Sequence, residues 1–400
     1  MNFKNEFQKK LYEGLNSLVE KYPEFHSKEQ KVNGGKFKTF NYTLAGYEQF
    51  RNNEYAKDCR GAMFFIPENE NDNISLVALP MKKFFSIGEG MPNEVKERNA
   101  KDIKEAFVKE DGSLITSYIS PVDGELHFKS KGNADYVNMA ALNKALNEEF
   151  KKQLDELYTY YDICVDMEFT SPENRVIKEY KDYSVSVLKA RSLKTGESID
   201  VHSEEFKLNF PAVAEKLVKK VELKDLDLKR KDIEGFVVTM NNGDMFKLKT
   251  LPYLSIVSAI NFQSKEKLPE NLYSAAVHEM MDEVRTLLHY KNRSDAFPIE
   301  KLIKQADLIE AYAQKTYIPM KKEILDFVEN NKELSDGDFT NKAKKECSKY
   351  MGPIMTLRKG GKFDLENFAV KMFGGGAKKE YLKAEEDKEE IKSKPNRLKF

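Results

Sequence analysis

The sequence predicts a mixed antiparallel α/β domain followed by an all-α one. Short runs rich in apolar and β-branched residues recur between about residues 60 and 249, parted by Asn, Gly, Asp and Pro clusters. From about Ala259 the apolar spacing turns helical almost without a break. The 400 residues, 40% of them hydrophobic, suffice for two domains with a core each. The expected division is residues 1–258, residues 259–373 and a charged tail over residues 374–400.

Phe3, Phe7, Leu11, Leu15 and Leu18 recur at helical spacing, which predicts an amphipathic helix from Phe3 to Tyr22. Strands are expected at Arg60–Ile66, Ile74–Leu79, Leu114–Ile119, Ile163–Phe169, Tyr183–Arg191, Gly235–Met240 and Met245–Lys249. The last two flank Asn242-Gly243, a strong short-range signal for a hairpin. One helix interrupts the strands from about Val137 to Tyr160, with Met139, Leu142, Leu146, Phe150 and Leu154 on one face. Beyond Ala259, helices are expected at Leu272–Tyr290, Phe297–Glu329 and Phe363–Phe373. Gly374-Gly375-Gly376 follows no strand and lacks the Gly-Lys-Ser/Thr ending of a phosphate loop, so it reads as a flexible linker to the tail.

Sixty-six basic residues balance sixty-six acidic ones, so the whole protein is no polycation, and any basic groove must be local. The three cysteines are far apart and odd in number, which argues for a reducing compartment. The five histidines are scattered and no Cys/His spacing suggests zinc. The start lacks the apolar run of a signal peptide and no stretch is long enough to span a bilayer, so a cytoplasmic protein is expected.

Chemistry concentrates in Lys109-Glu110-Asp111-Gly112. A lysine in a Lys-x-Asp-Gly turn can attack the α-phosphate of a nucleoside triphosphate through its amine, forming a phosphoramidate and releasing pyrophosphate. Alone, the pattern is weak. Strand alternation puts Lys247 and Lys249 on one face, where two ammoniums can grip an α-phosphate, although an isolated Lys-x-Lys more often marks a solvated strand face. Glu168 sits in an otherwise apolar strand, where an unpaired carboxylate is costly; it either faces a cleft or is paired internally. Glu234, read singly, is an ordinary surface glutamate. Arg60, Lys83, Lys129 and Lys131 are cations at strand edges, able to bind phosphate or to be solvated or ion-paired.

The order of these clusters resembles a known family. Lys109-Glu110-Asp111-Gly112-Ser113-Leu114 is followed by Phe128-Lys129-Ser130-Lys131-Gly132, then Glu168-Phe169 with Ser171-Pro172 and Asn174-Arg175. Next come Glu234-Gly235-Phe236-Val237 and Phe246-Lys247-Leu248-Lys249. These are similar, in sequence order, to the motifs of covalent nucleotidyltransferases. Cys59-Arg60-Gly61-Ala62-Met63-Phe64 and Pro80-Met81-Lys82-Lys83-Phe84-Phe85 resemble signatures of the T-even-phage type RNA ligase 1 family in particular. The likeness is dense in the N-terminal part and loose in the helical part, through Gly352-Pro353-Ile354-Met355.

The resemblance implies a nucleotidyltransferase adenylylation domain, an ATP-dependent RNA ligase and a reaction in three phosphoryl transfers. Lys109 takes AMP from ATP, AMP passes to an RNA 5′-phosphate, and a 3′-hydroxyl displaces it. It implies that Arg60 and Lys83 hold ATP phosphates, Glu168 the ribose, Glu234 a divalent metal, and Lys247 and Lys249 the α-phosphate. Gly112, Lys131, Tyr253 and Tyr42 fall at matching cofactor-binding positions. It also implies Mg2+, or Mn2+, as metal, and a monomer acting on RNA, notably broken tRNA, in a host cytoplasm if the chain is phage-encoded. Asp282-Glu283 stands where the family carries paired aspartates linked to metal. A DNA ligase or capping enzyme should instead add a strand-rich OB-fold after the first domain, and a non-catalytic RNA-binding protein is the alternative from another class. Nearby cations and a bound metal lead to the expectation of a depressed Lys109 pKa.

Overall fold

The computed structural model describes residues 2–86, 102–173, 180–251, 253–254, 268–282, 284–285 and 299–392. The chain divides into two compact units, Met1–Ile256 and Val257–Phe400.

Among its described residues the first unit carries three five-stranded sheets, with strands numbered in chain order. The first sheet has the order β1-β5-β4-β3-β2 and is built from β1 (Asn2–Phe3), β2 (Phe25–Val32), β3 (Gly35–Tyr42), β4 (Met63–Pro67) and β5 (Asn73–Ala78). Helix α1 (Glu6–Lys21) starts where the Asn5 side chain accepts from the Gln8 N–H, and it buries Leu11, Tyr12, Leu15 and Leu18. The Tyr12 ring meets Phe64 edge-on at 5.1 Å. The short α2 (Tyr47–Arg51) adds Phe50 to the same core.

The second sheet has the order β12-β11-β10-β8-β9. Its strands are β8 (Ser113–Ile119), β9 (Leu126–Ser130), β10 (Ile163–Thr170), β11 (Ser184–Ser192) and β12 (Ser198–Ile199). Helices α3 (Met139–Leu142) and α4 (Glu148–Tyr161) bury Leu142, Phe150, Leu154 and Leu157 against Val165, Met167 and Phe169. The single helix expected from Val137 to Tyr160 is thus two. Its apolar face is continuous in sequence, but Asn147 leaves the helical conformation and caps α4, accepting from the Phe150 N–H at 2.8 Å. Two short helices, α5 (Glu204–Asn209) and α6 (Pro211–Ala214), complete this layer.

The third sheet, β13-β7-β14-β15-β6, comprises β6 (Phe85–Ser86), β7 (Ile103–Lys109), β13 (Lys220–Val221), β14 (Gly235–Met240) and β15 (Met245–Lys249). The hairpin expected at Asn242-Gly243 is present, β14 pairing antiparallel with β15. Arg60 precedes β4 and is not its first residue. Strands β2 and β7 are charge-rich, Phe-His-Ser-Lys-Glu-Gln-Lys-Val and Ile-Lys-Glu-Ala-Phe-Val-Lys; neighbouring strands rather than their own pattern make them strands.

The described residues of the second unit are helical: α7 (Leu268–Val277), α8 (Ile299–Asn330), α9 (Asp336–Glu346), α10 (Met351–Arg358) and α11 (Leu365–Lys392). Tyr273, Ala276, Ala306, Ile309, Ala313 and Ala369 are buried there. The guanidinium of Arg285 pairs with Asp307 at 2.8 Å and with Glu310. The expected helix Leu272–Tyr290 is not continuous: α7 ends at Val277 and the chain turns at Glu279, whose φ is 58°, while residues 283 and 286–290 lie outside the described residues.

Gly374-Gly375-Gly376 is not a linker, a correction to the sequence reading. It lies inside α11, which continues to Lys392 where a flexible tail was expected. A Cβ at Gly376 would run into the Tyr312 hydroxyl of α8, and one at Gly374 would touch the Glu270 side chain of α7. At Gly376 the close approach of Tyr312 leaves no room for a side chain and outweighs the roughly 1 kcal/mol a glycine costs a helix, whereas the contact at Gly374 is an ordinary one. Gly375 faces open space. Gly375→Ala should therefore raise stability by about 1 kcal/mol, whereas Gly376→Val should lower it by about 1–3 kcal/mol through overpacking. Denaturant unfolding of the full chain measures both, and two indifferent substitutions would restore the linker.

Candidate active site

Register in the third sheet assembles the centre of the site. Gly235, the first residue of β14, stands opposite Lys109 at the end of β7 on one side and opposite Lys249 at the end of β15 on the other. Glu234, one residue earlier, therefore lies between two lysines. Its Oε2 accepts from Lys109 Nζ at 2.6 Å and its Oε1 lies 3.2 Å from Lys249 Nζ. The Glu234 and Lys249 side chains are almost wholly buried, while Lys109 keeps 20% of its side chain exposed. Lys247 shares the face of Lys249 by strand alternation, its Nζ 5.7 Å from the Phe84 ring centroid.

This arrangement holds the Lys109 amine in its charged form in the free protein. Burial pushes its amine down, but Glu234 and Glu168 outweigh burial and the repulsion from Lys249, so its pKa stands above the ordinary lysine value. In the free protein the lowering by Lys249 is thus outweighed by the carboxylates; the expected depression belongs to the metal-bound site. Glu234 is held below the ordinary carboxylate range, burial acting upward and the Lys109 and Lys249 ammoniums downward.

The Lys109–Gly112 turn is fastened to the second sheet. Glu168 on β10 accepts from the Gly112 N–H through Oε1 at 2.9 Å. A Cβ at Gly112 would collide with the Phe169 carbonyl, so only glycine permits this approach. The Asp111 N–H donates to Tyr180 Oη at 2.9 Å, and Asp111 Oδ1 accepts from Tyr253 Oη at 3.2 Å. Lys249 Nζ stands 5.4 Å from the Tyr253 ring centroid. Asp111 and Tyr180 were not among the sequence candidates. Asp111 was legible in the Lys-x-Asp-Gly motif, but Tyr180 is joined to the site by folding alone.

Other cations converge on one aromatic ring. Lys131 Nζ lies 4.1 Å and Lys83 Nζ 5.5 Å from the centroid of Tyr42, which closes β3. Arg60 Nη1 donates to the Met81 carbonyl at 3.3 Å. The structure thus joins Lys109, Gly112, Glu168, Glu234, Lys249 and Tyr253 in one set of contacts, and Tyr42, Lys83 and Lys131 in a second. Asp282 belongs to the second unit, and Glu283, like Asn174 and Arg175, lies outside the described residues.

The side chains suit a polyphosphate and a hard cation. Lysines, each a movable point charge, surround a single bidentate carboxylate. Both Glu234 oxygens bear on ammoniums that a divalent ion can replace electrostatically, and Mg2+ is commonly bound through one or two carboxylates plus phosphate oxygens. Beside Lys109, the buried Oε2 of Glu110 has no hydrogen-bond partner in the structure, leaving a further acceptor open.

Residues 58–254 match a family of RNA ligases. The resemblance carried by the motifs is thus found again over the stretch that holds Lys109, Glu168, Glu234, Lys247 and Lys249. Among solved structures, two forms of an archaeal ATP-dependent RNA ligase are similar, at 12% and 10% identity with a TM-score of 0.46 each. The alignments cover 84% and 90% of this chain and 93% and 100% of those chains. A Naegleria gruberi RNA ligase with pyrophosphate is similar at 12% identity and a TM-score of 0.31, over 58% of this chain and 97% of that one.

Burial raises the Glu168 carboxyl from 4.5 to about 7, against the pull of Lys109. A carboxyl whose folded pKa exceeds its unfolded one supports the fold below about 4.5 and loses that support as pH rises through about 7. Glu168→Gln, which cannot ionise, should flatten the decline of the melting temperature between those two pH values. Parallel wild-type and variant curves over that window would show that Glu168 does not titrate there.

Proposed function

We propose that this protein is an ATP-dependent RNA ligase, joining 5′-phosphate and 3′-hydroxyl RNA ends through a lysyl-AMP enzyme and an adenylylated RNA. The observation that carries the reading is the Lys109–Glu234–Lys249 array at one level of the third sheet. It supplies a nucleophilic amine, a carboxylate that holds it in place, and in Lys249 a second ammonium for the phosphate it attacks. The RNA ligase match over residues 58–254 supports the same reading.

Lys109 acts as the nucleophile once its amine is neutral. The ion pair with Glu234 keeps it protonated and oriented in the free protein. Loss of that proton frees the lone pair to form an N–P bond to the α-phosphorus as the bond to pyrophosphate breaks. Lys247 and Lys249 neutralise charge on the α-phosphate, while Arg60, Lys83 and Lys131 hold the outgoing phosphates. Glu168 and Gly112 bind the ribose side of the nucleotide, and Tyr42 and Tyr253 frame it. Glu234 would hold a divalent cation, Mg2+ or Mn2+, which would supply further charge neutralisation. The same lysines then serve transfer of AMP to the RNA 5′-phosphate and its displacement by the 3′-hydroxyl.

The helical character of the described second unit favours an RNA ligase over a DNA ligase or capping enzyme. Cleaved tRNA is the proposed substrate, Asp282 and Glu283 are proposed to assist metal binding, and the protein is proposed to act as a cytoplasmic monomer. No helix of the described residues is long and apolar enough to cross a membrane.

Intact-protein mass spectrometry after ATP and magnesium, from a pyrophosphate-treated baseline, should show one added AMP on wild type and none on Lys109→Ala. Lys249→Ala and Lys247→Ala should each slow adduct formation by about 10²–10³-fold. A folded wild type that binds ATP and RNA but never gains AMP would sink the ligase and leave a binding protein.

A further inference from the structure

Between β5 and β6 the chain leaves the first sheet and joins the third, and the second sheet grips it on the way. Residues 79–84 form no ladder, yet Leu79 is fully buried and Met81 is 7% exposed. Irregular backbone in such a place must find partners for its polar groups. Side chains provide them in succession. Cys164 Sγ donates to the Leu79 carbonyl at 3.3 Å, and Arg191 Nη1 to the Pro80 carbonyl at 2.8 Å. Asp166 Oδ2 accepts from the Met81 N–H at 2.6 Å, and Arg60 Nη1 donates to the Met81 carbonyl at 3.3 Å. The Lys83 N–H then donates to the Lys57 carbonyl at 2.8 Å.

Two of these partners are buried charges of opposite sign on adjacent strands. Asp166 on β10 is 0% exposed and Arg191 on β11 is 3% exposed. The second oxygen of Asp166 accepts from Thr116 Oγ1 at 2.6 Å. Arg191 also donates to Asp58 Oδ1 at 2.6 Å and to the Gly196 carbonyl through Nε and Nη2 at 3.0 and 2.7 Å. Burial pushes Asp166 up to about 6, and Thr116, the Met81 N–H, Arg60 and Arg191 draw it back. Buried charges are weak contributors to stability, and a neutral residue of similar shape often serves a fold as well. What these two achieve is placement. Two residues beyond Met81 stands Lys83, facing the Tyr42 ring that Lys131 also faces. After Phe84, β6 pairs with β15, Phe85 opposite Phe246 and Ser86 opposite Lys247.

We propose that Asp166 and Arg191 are positioning residues for the phosphate-binding cations Lys83 and Arg60, gripping the backbone of Pro80 and Met81 so that those cations meet the outgoing phosphates in register with Lys247. The inference rests on the ligase reading, in which Lys83 and Arg60 hold those phosphates. Neither Asp166 nor Arg191 touches the nucleotide; both act through the segment.

The test is the ATP dependence of lysyl-AMP formation by the full chain, read for wild type, Asp166→Asn, Arg191→Lys, Lys83→Ala and the Asp166→Asn/Lys83→Ala double variant, with the melting temperature of each. Asp166→Asn preserves shape but removes one acceptor: with Thr116 donating to the amide oxygen as it does to Oδ1, the amide NH2 faces the Met81 N–H and cannot accept from it. The substitution should raise the half-saturating ATP about ten- to a hundredfold, by displacing Lys83, with the maximal rate much less affected. In the Lys83→Ala background the same change should add little, because the two act as one unit. Arg191→Lys, which retains the charge but not the fork, should raise half-saturating ATP in the same way and keeps the test open if Asp166→Asn fails to fold. An unchanged ATP dependence beside a lowered melting temperature would make both residues merely structural, and equal factors with and without Lys83 would overturn the coupling. A wild type that forms no lysyl-AMP would instead defeat the ligase reading, and this proposal with it.

Discussion

A buried carboxylate between two ammoniums organises the site. Glu234 lies where water is excluded, and an unpaired charge there would be prohibitive. Lys109 and Lys249 each supply half of what it needs, and it returns the favour by tolerating two lysines close together in the interior. Removing any member strands the others, so the carboxylate and the two ammoniums stand or fall as one electrostatic unit. The unit also explains why the free protein holds Lys109 protonated: the carboxylate that places the amine also stabilises its charged form.

The three sheets of the first unit are arranged around that unit, each with its own part. The third sheet brings Lys109, Glu234 and Lys249 to one level through the shared partner Gly235. The second contributes Glu168 and tethers the Lys109–Gly112 turn at Gly112. The first carries Tyr42, on whose ring Lys83 and Lys131 converge. The segment from Leu79 to Ser86 touches all three, which is why its buried backbone is fastened by side chains in place of a ladder.

Much of the first unit was legible in the chain. Gly235–Met240 and Met245–Lys249 are strands with the bounds their apolar pattern implies, because both lie within a sheet and meet at an Asn-Gly turn. Strands β2 and β7 were not legible, because paired strands can carry charge where one face meets solvent. Lys109 was visible as a Lys-x-Asp-Gly lysine, but its raised pKa was not, because the carboxylate responsible is 125 residues away in sequence. Gly374–Gly376 misled for a related reason. Glycine reads locally as a helix breaker, while a neighbouring helix with Tyr312 against it makes glycine the residue that fits.

By itself, the sequence determined the class of architecture, the order of the motifs and the residue types that can carry phosphoryl transfer, since periodicity, turn chemistry and functional groups are local properties. Tertiary structure alone decided which charges meet. The pairing of Lys109 with Glu234 and the grip of Asp166 and Arg191 on the Lys83 segment depend on strand register and burial. Strand partners set distance, and exclusion of water sets how strongly charges at that distance act on each other.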